Sequence, residues 1–254
     1  MPDIEDLREL GSRMIAILGL STSPVGVRFL MDGEVEGAEV LHRHRYCQAL
    51  MRARHGRSVI LNAEGISCPA AARAFGFRPL PEPLRTGRGL VSFGIVSDES
   101  VARRMFEDMP HLEMGAVKQI HLYPLEVAKH PPDLVVVEGE AEKLMWIVLS
   151  YMHSRGGERV QSSTAVLQAT CVDSTVVPYI EKRLNFSLGC YGCRDATDMG
   201  DGEVVLGFPA SYLPEIVKHL EFLSRKALPH SREKHAFAAL KSDEQTGCSE
   251  LTVG

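Results

Sequence analysis

The stretch Leu134-Val135-Val136-Val137-Glu138, followed directly by residues 141–153, decides the class of fold. A short apolar run rich in β-branched residues reads as a buried strand. The segment after it, from Ala141 to His153, carries large apolar side chains on most faces, which predicts a buried helix broken by Gly156-Gly157. Outward from this pair the same alternation continues. Upstream, strands are predicted over 25–30, 58–61 and 117–123. Helices are predicted over 3–19, 46–55, 68–75 and 98–109. Residues 78–89, with three prolines and two glycines, read as a loop. Downstream, 164–170 reads as a strand and 174–183 as a helix interrupted near Pro178. Residues 204–206 read as a strand, and 211–227 as a strong helix. No long run of either element occurs, so the expected class is α/β or α+β: a mixed sheet covered by helices. Residues 1–228 form one expected globular domain, and 229–254 a polar C-terminal tail.

An internal repeat is expected within that domain. The order strand, helix, glycine, strand, cysteine, helix occurs in 24–76 and again in 133–183. It places Cys68 and Cys171 at related positions in two related halves.

The 254 residues are 44% hydrophobic and 24% charged, ordinary for a soluble domain and unlike a disordered or fibrous chain. With a net charge of −5 and only 6% aromatic residues, the chain offers nucleic acid neither a global attraction nor a stacking platform. The greasiest run, Leu144 to Met152, is far shorter than the ~20 residues of a membrane span. The first residues are acidic where a secretion signal carries base. These features lead us to expect a cytoplasmic protein without nucleic-acid or membrane partners.

Six cysteines occur: Cys47, Cys68, Cys171, Cys190, Cys193 and Cys248. In a reducing cytosol, grouped cysteines point to metal binding or thiol chemistry. The sharpest motif is Gly189-Cys190-Tyr191-Gly192-Cys193-Arg194. Two residues between cysteines let both sulfurs face one ion. The same spacing serves a dithiol/disulfide couple, but that motif normally opens a helix, and Asp195 to Gly202 reads as a loop. Cys68, followed by Pro69, and Cys171 each stand between a predicted strand and a predicted helix, where backbone N–H groups favour a thiolate. The four together make a complete thiolate set. Cys47, in His42-Arg43-His44-Arg45-Tyr46-Cys47, is an undecided candidate, and Cys248 is incidental.

Residues 40–63 hold five arginines and no acid. Arg52 and Arg54 are the candidates for gripping a phosphate or carboxylate ligand, since guanidinium forks bind these bidentately. The alternative is a solvated face balanced by acids from elsewhere. The chain contains no phosphate-binding loop, dinucleotide fingerprint, zinc-protease helix or serine elbow.

Several segments occur in a family-like order. They are residues 24–29, Cys68-Pro69, Lys118 with Tyr123-Pro124-Leu125, residues 132–137, the Gly-Cys-Tyr-Gly-Cys-Arg segment 189–194, and Gly207-Phe208-Pro209. In this the chain resembles the domain of unknown function 169 family. That resemblance implies a prokaryotic cytosolic protein with several recurring cysteines, and supplies neither substrate nor reaction.

The expectation is a protein ligating one iron–sulfur cluster, [4Fe–4S], through Cys68, Cys171, Cys190 and Cys193. Only one close cysteine pair exists, where a zinc knuckle commonly has two. Its role would be electron transfer or cluster-assisted small-molecule chemistry, with a redox partner protein or an anionic small molecule. Two alternatives stand beside it. One is a non-enzymatic accessory protein with structural zinc. The other is a thiol–disulfide oxidoreductase using Cys190 and Cys193.

Overall fold

The computed structural model describes residues 3–33 and 35–241. Its seven strands are β1 (Val25–Leu30), β2 (Glu39–Val40), β3 (Val59–Asn62), β4 (Gln119–Pro124), β5 (Leu134–Glu140), β6 (Asn185–Ser187) and β7 (Glu203–Pro209). They form one mixed sheet in the order β2-β3-β4-β1-β5-β7-β6. Only β2 and β3 pair in parallel; the other neighbours are antiparallel. The helices are α1 (Ile4–Leu18), α2 (Tyr46–Arg54), α3 (Pro69–Ala74), α4 (Glu82–Arg85), α5 (Arg88–Ser92), α6 (Glu99–Glu107), α7 (Ala141–Ser154), α8 (Val177–Glu181), α9 (Tyr191–Ala196), α10 (Leu213–Ser224) and α11 (Ala227–Glu233). A π-helix, Ala169–Val176, runs directly into α8. The architecture is α/β.

Alternation along the strands sorts the helices into two layers, because successive side chains point to opposite faces. On β5, Leu134 and Val136 face one apolar core, while Val135 and Val137 face another. The first core takes side chains from α2, α3, α5, α6, the π-helix and α9. The second takes them from α1, α7, α10 and α11. The five cysteines among the described residues lie on or against the first core, so these thiols are confined to one side of the sheet.

From the central β1–β5 pair the sheet reads alike in both directions. With the two-residue edge strand β2 set aside, one side runs β1, β4, β3 and the other β5, β7, β6, so each half places its first, third and second remaining strand in that order. Val25 of β1 stands opposite Pro124, and Leu134 of β5 opposite Pro209. Each proline then opens a 3₁₀ turn. After the second strand of each half comes a six-residue helix capped by a cysteine: Cys68 before α3, Cys190 before α9. Topologically Cys68 therefore matches Cys190, whereas the repeat read from the sequence matches it to Cys171.

Three local expectations are corrected. Residues 164–170 are not a strand. Val166 and Gln168 have φ of 47° and 60°, and the π-helix begins at Ala169. Residues 191–196, next to the cysteine pair, form a helix rather than continuing a loop. Beyond Pro229 the chain is held: Leu228 is buried, and Arg232 binds Glu142 (3.0 Å) and the Leu18 carbonyl (3.1 Å). Cys248 and the rest of the expected tail after Lys241 lie outside the described residues.

Candidate metal centre

The site is built outward from Cys190. Strand β6 ends at Ser187, and Gly189, with φ of 84°, turns the chain in a left-handed conformation that side chains disfavour. Cys190 then caps α9, its sulfur accepting the Cys193 N–H at 3.2 Å. The guanidinium of Arg194 binds the carbonyls of Leu188 (2.6 Å), Gly200 (2.9 Å) and Glu203 (2.9 Å), stapling both ends of the motif. The Cys190 and Cys193 sulfurs stand 2.9 Å apart.

Cys171 is brought in by the π-helix. Such segments are rare and concentrate at functional sites. Its close seating on β7 depends on Gly207, where an added Cβ would fall 1.8 Å from the Ser174 carbonyl oxygen. Val166, β-branched and in left-handed backbone, is a strained residue in the loop that delivers it. Cys68 arrives from the other half of the sheet at the N-cap of α3, where the backbone N–H groups of Ala71 and Ala70 favour its charged form. The other expected ligands lie near enough for the charges of Cys68, Cys193 and Cys190 to bear on Cys171.

Cys47, undecided from the sequence, joins them. It is the second residue of α2, is buried on the same core, and bears electrostatically on Cys193. Its helix grips α9 through Arg45 to the Gly192 carbonyl (3.0 Å) and Gln48 to the Ala196 carbonyl (3.2 Å). Tyr46 reaches the π-helix, its hydroxyl 3.0 Å from that of Thr175. Thr170 lies 3.0 Å from the Cys193 sulfur. His44 turns back onto the His42 carbonyl, so the His-x-His-x-x-Cys pattern does not converge.

The five described cysteines are free thiols. Burial, followed by the neighbouring sulfurs, pushes Cys171 up; burial also raises Cys68 against the pull of the two amides. The hydrogen bond with Cys193, and then burial, raises Cys190. Cys193, relieved by Cys190, is nevertheless pushed up to about 12 by Cys47 and burial. Among the described residues, the one trio of His, Cys, Asp or Glu ligand atoms with every pair within 4.8 Å is the exposed set His230, Glu233 and His235. The sulfurs as a group are more widely spread than that.

The arginines are engaged by the chain's own acids. Arg52 pairs with Glu39 at 2.6 Å. Arg54, almost wholly buried, faces Glu138 (3.1 Å), Asp198 (2.5 Å) and Glu203 (3.6 Å). Glu39 lies just before the window 40–63 and the partners of Arg54 come from distant segments, which is why the window looked uncompensated.

The chain matches the domain of unknown function 169 family, described as "Uncharacterised ArCR", over residues 13–219. It belongs to this family. An uncharacterized protein of Methanocaldococcus jannaschii is 30% identical over 224 residues, covering 86% of this chain and 95% of that relative. No solved structure matches the chain. The matched region holds all five gathered cysteines. None of the described helices is long and apolar enough to cross a membrane.

Proposed function

We propose that this family member is a cytosolic redox protein that holds one iron–sulfur cluster, [4Fe–4S], on Cys68, Cys171, Cys190 and Cys193. The observation that carries the reading is that Cys171, Cys190 and Cys193 are buried and Cys68 half-buried on one core, with the charges of the other three bearing on Cys171. Thiols crowded there stay protonated and idle, whereas a coordinating metal deprotonates them outright. The spread of the sulfurs supports a cluster over one zinc ion. Zinc, with bonds of 2.3 Å, wants its sulfurs about 3.8 Å apart in every pair. A bound cluster would supply one-electron chemistry, serving a redox partner protein or an anionic small molecule.

The second reading, a dithiol couple of Cys190 and Cys193, is favoured by their 2.9 Å separation and by α9 opening on Cys190 after a strand. Against it, thiol–disulfide exchange needs a thiolate, and both groups are shifted away from that form.

The test is iron, labile sulfide and zinc per chain after anaerobic purification and reconstitution, with visible absorbance. A brown wild type with iron and sulfide, and loss of both in Cys68→Ser and Cys171→Ser, is expected. Zinc without sulfide returns the structural-zinc alternative. No metal at all, with a Cys190–Cys193 disulfide formed on mild oxidation, returns the dithiol reading.

A further inference from the structure

Thr170, the second residue of the π-helix, is buried, and its hydroxyl oxygen stands 3.0 Å from the Cys193 sulfur. A helical threonine ordinarily turns its hydroxyl back onto a carbonyl three or four residues earlier. This one turns to a sulfur instead. The other expected ligands are met by backbone or by each other. Cys190 accepts the Cys193 N–H and faces the Cys193 sulfur, and the Cys171 thiol points at the Gln168 carbonyl, 3.6 Å away. The direction of the Thr170 bond follows from the state of Cys193. A metal-bound thiolate has no proton to give, so the hydroxyl donates and the sulfur accepts. The same hydroxyl favours the charged form of Cys193.

The donor is held from the other half of the sheet. Thr175 donates its hydroxyl proton to the Thr170 carbonyl (2.8 Å). With that proton spent, it accepts from the Tyr46 hydroxyl of α2 (3.0 Å). Tyr46 and Thr175 are both fully buried, so this chain of bonds fixes the backbone that carries Thr170.

We propose that Thr170 is a positioning residue of the centre, its hydroxyl donating to the Cys193 sulfur and thereby raising the reduction potential of the cluster. The inference rests on the iron–sulfur reading. One-electron reduction, by the partner protein or by dithionite, adds one negative charge to the cluster and its thiolates. No bond to Thr170 forms or breaks. A donor on a ligand sulfur stabilises the reduced state more than the oxidised one, so the potential rises.

The experiment compares wild type with Thr170→Val, Thr170→Ala and Thr170→Ser, each reconstituted anaerobically. Iron and sulfide are counted, and dithionite titrations are followed by electron paramagnetic resonance. Val keeps the shape without the hydroxyl, Ala removes it without a β-branched side chain, and Ser restores it. Val or Ala, loaded as wild type, should shift the midpoint to lower potential, and Ser should return it most of the way. An unchanged midpoint in a loaded Val or Ala variant overturns the proposal. So does a Ser midpoint as low as that of Val, which would assign the effect to the lost methyl or to repacking. Loss of the cluster from both Val and Ala, with Ser loaded, overturns it by making Thr170 a structural support. A wild type that takes up no iron and sulfide overturns the underlying reading, and the proposal with it.

Discussion

Glu138 shows how far a single residue's environment departs from its sequence context. It sits within β5 between Val137 and Gly139, with its side chain fully buried and facing Arg54. Burial, against the pull of Arg54, pushes its carboxyl up to about 7. An unfolded glutamate titrates near 4.3. Between those values the native chain holds a proton that the unfolded chain has lost, so stability falls as pH rises from about 4.5 to about 7. The loss is on the order of 3 kcal/mol. Asp173, pushed up to about 6 by burial against its hydrogen bonds, slopes the same way at lower pH. Urea unfolding across pH 4.5–7.5 should therefore be flatter for Glu138→Gln than for wild type above pH 6, with a residual slope from Asp173 below it. An identical slope above pH 6 would locate the titration elsewhere. Arg54 behaves differently: replacing it with Ala leaves Glu138 without its counter-charge.

Among elements, the π-helix is the most exposed to a single change. Gly207→Ala drives a methyl into the Ser174 carbonyl, and backbone on both sides leaves no flexible side chain to yield. Overpacking of this kind costs about 1–3 kcal/mol. Thermal unfolding should show that loss, and because Cys171 rides on the displaced segment, metal content should fall with it. Wild-type stability and loading in Gly207→Ala would mean that the π-helix is not held by this contact. The same segment marks where sequence reasoning stopped. Strand β1 was legible to its ends, because Pro24 stops what precedes it and Val25, Val27 and Phe29 alternate along the segment. Residues 164–170 have equally strand-like composition, but their backbone is set by the fit onto β7. Helix α9 was missed because Gly192 and Asp195 are poor helix formers; its support comes from the Cys190 cap and from Arg45 and Gln48 across the interface. The convergence of Cys68, Cys171, Cys190 and Cys193 could be expected from spacing and flanking elements. That of Cys47 could not, since only the packing of α2 on α9 brings it there.

At the scale of the molecule, each half of the sheet delivers thiols to the shared site, so whatever binds there fastens the halves together. A ligand held by the native state alone stabilises it by about 2.7 kcal/mol at a hundredfold excess over its dissociation constant. For a chain of this size, that corresponds to a melting temperature higher by roughly 5–10 °C. Chelation of the loaded protein should lower its melting temperature by that order. Equal melting temperatures before and after metal removal would mean that the centre does not bridge the halves. The order β3-β4-β1-β5-β7-β6 also has a consequence for biosynthesis. Cys47 and Cys68 leave the ribosome about a hundred residues before Cys171, and they must wait as reduced, unpartnered thiols. The inner strand β7 that joins β6 to the rest emerges later still. On the iron–sulfur reading, cluster insertion must wait until Cys193 and β7 have emerged, and growth under iron limitation should leave completed but empty protein rather than truncated intermediates.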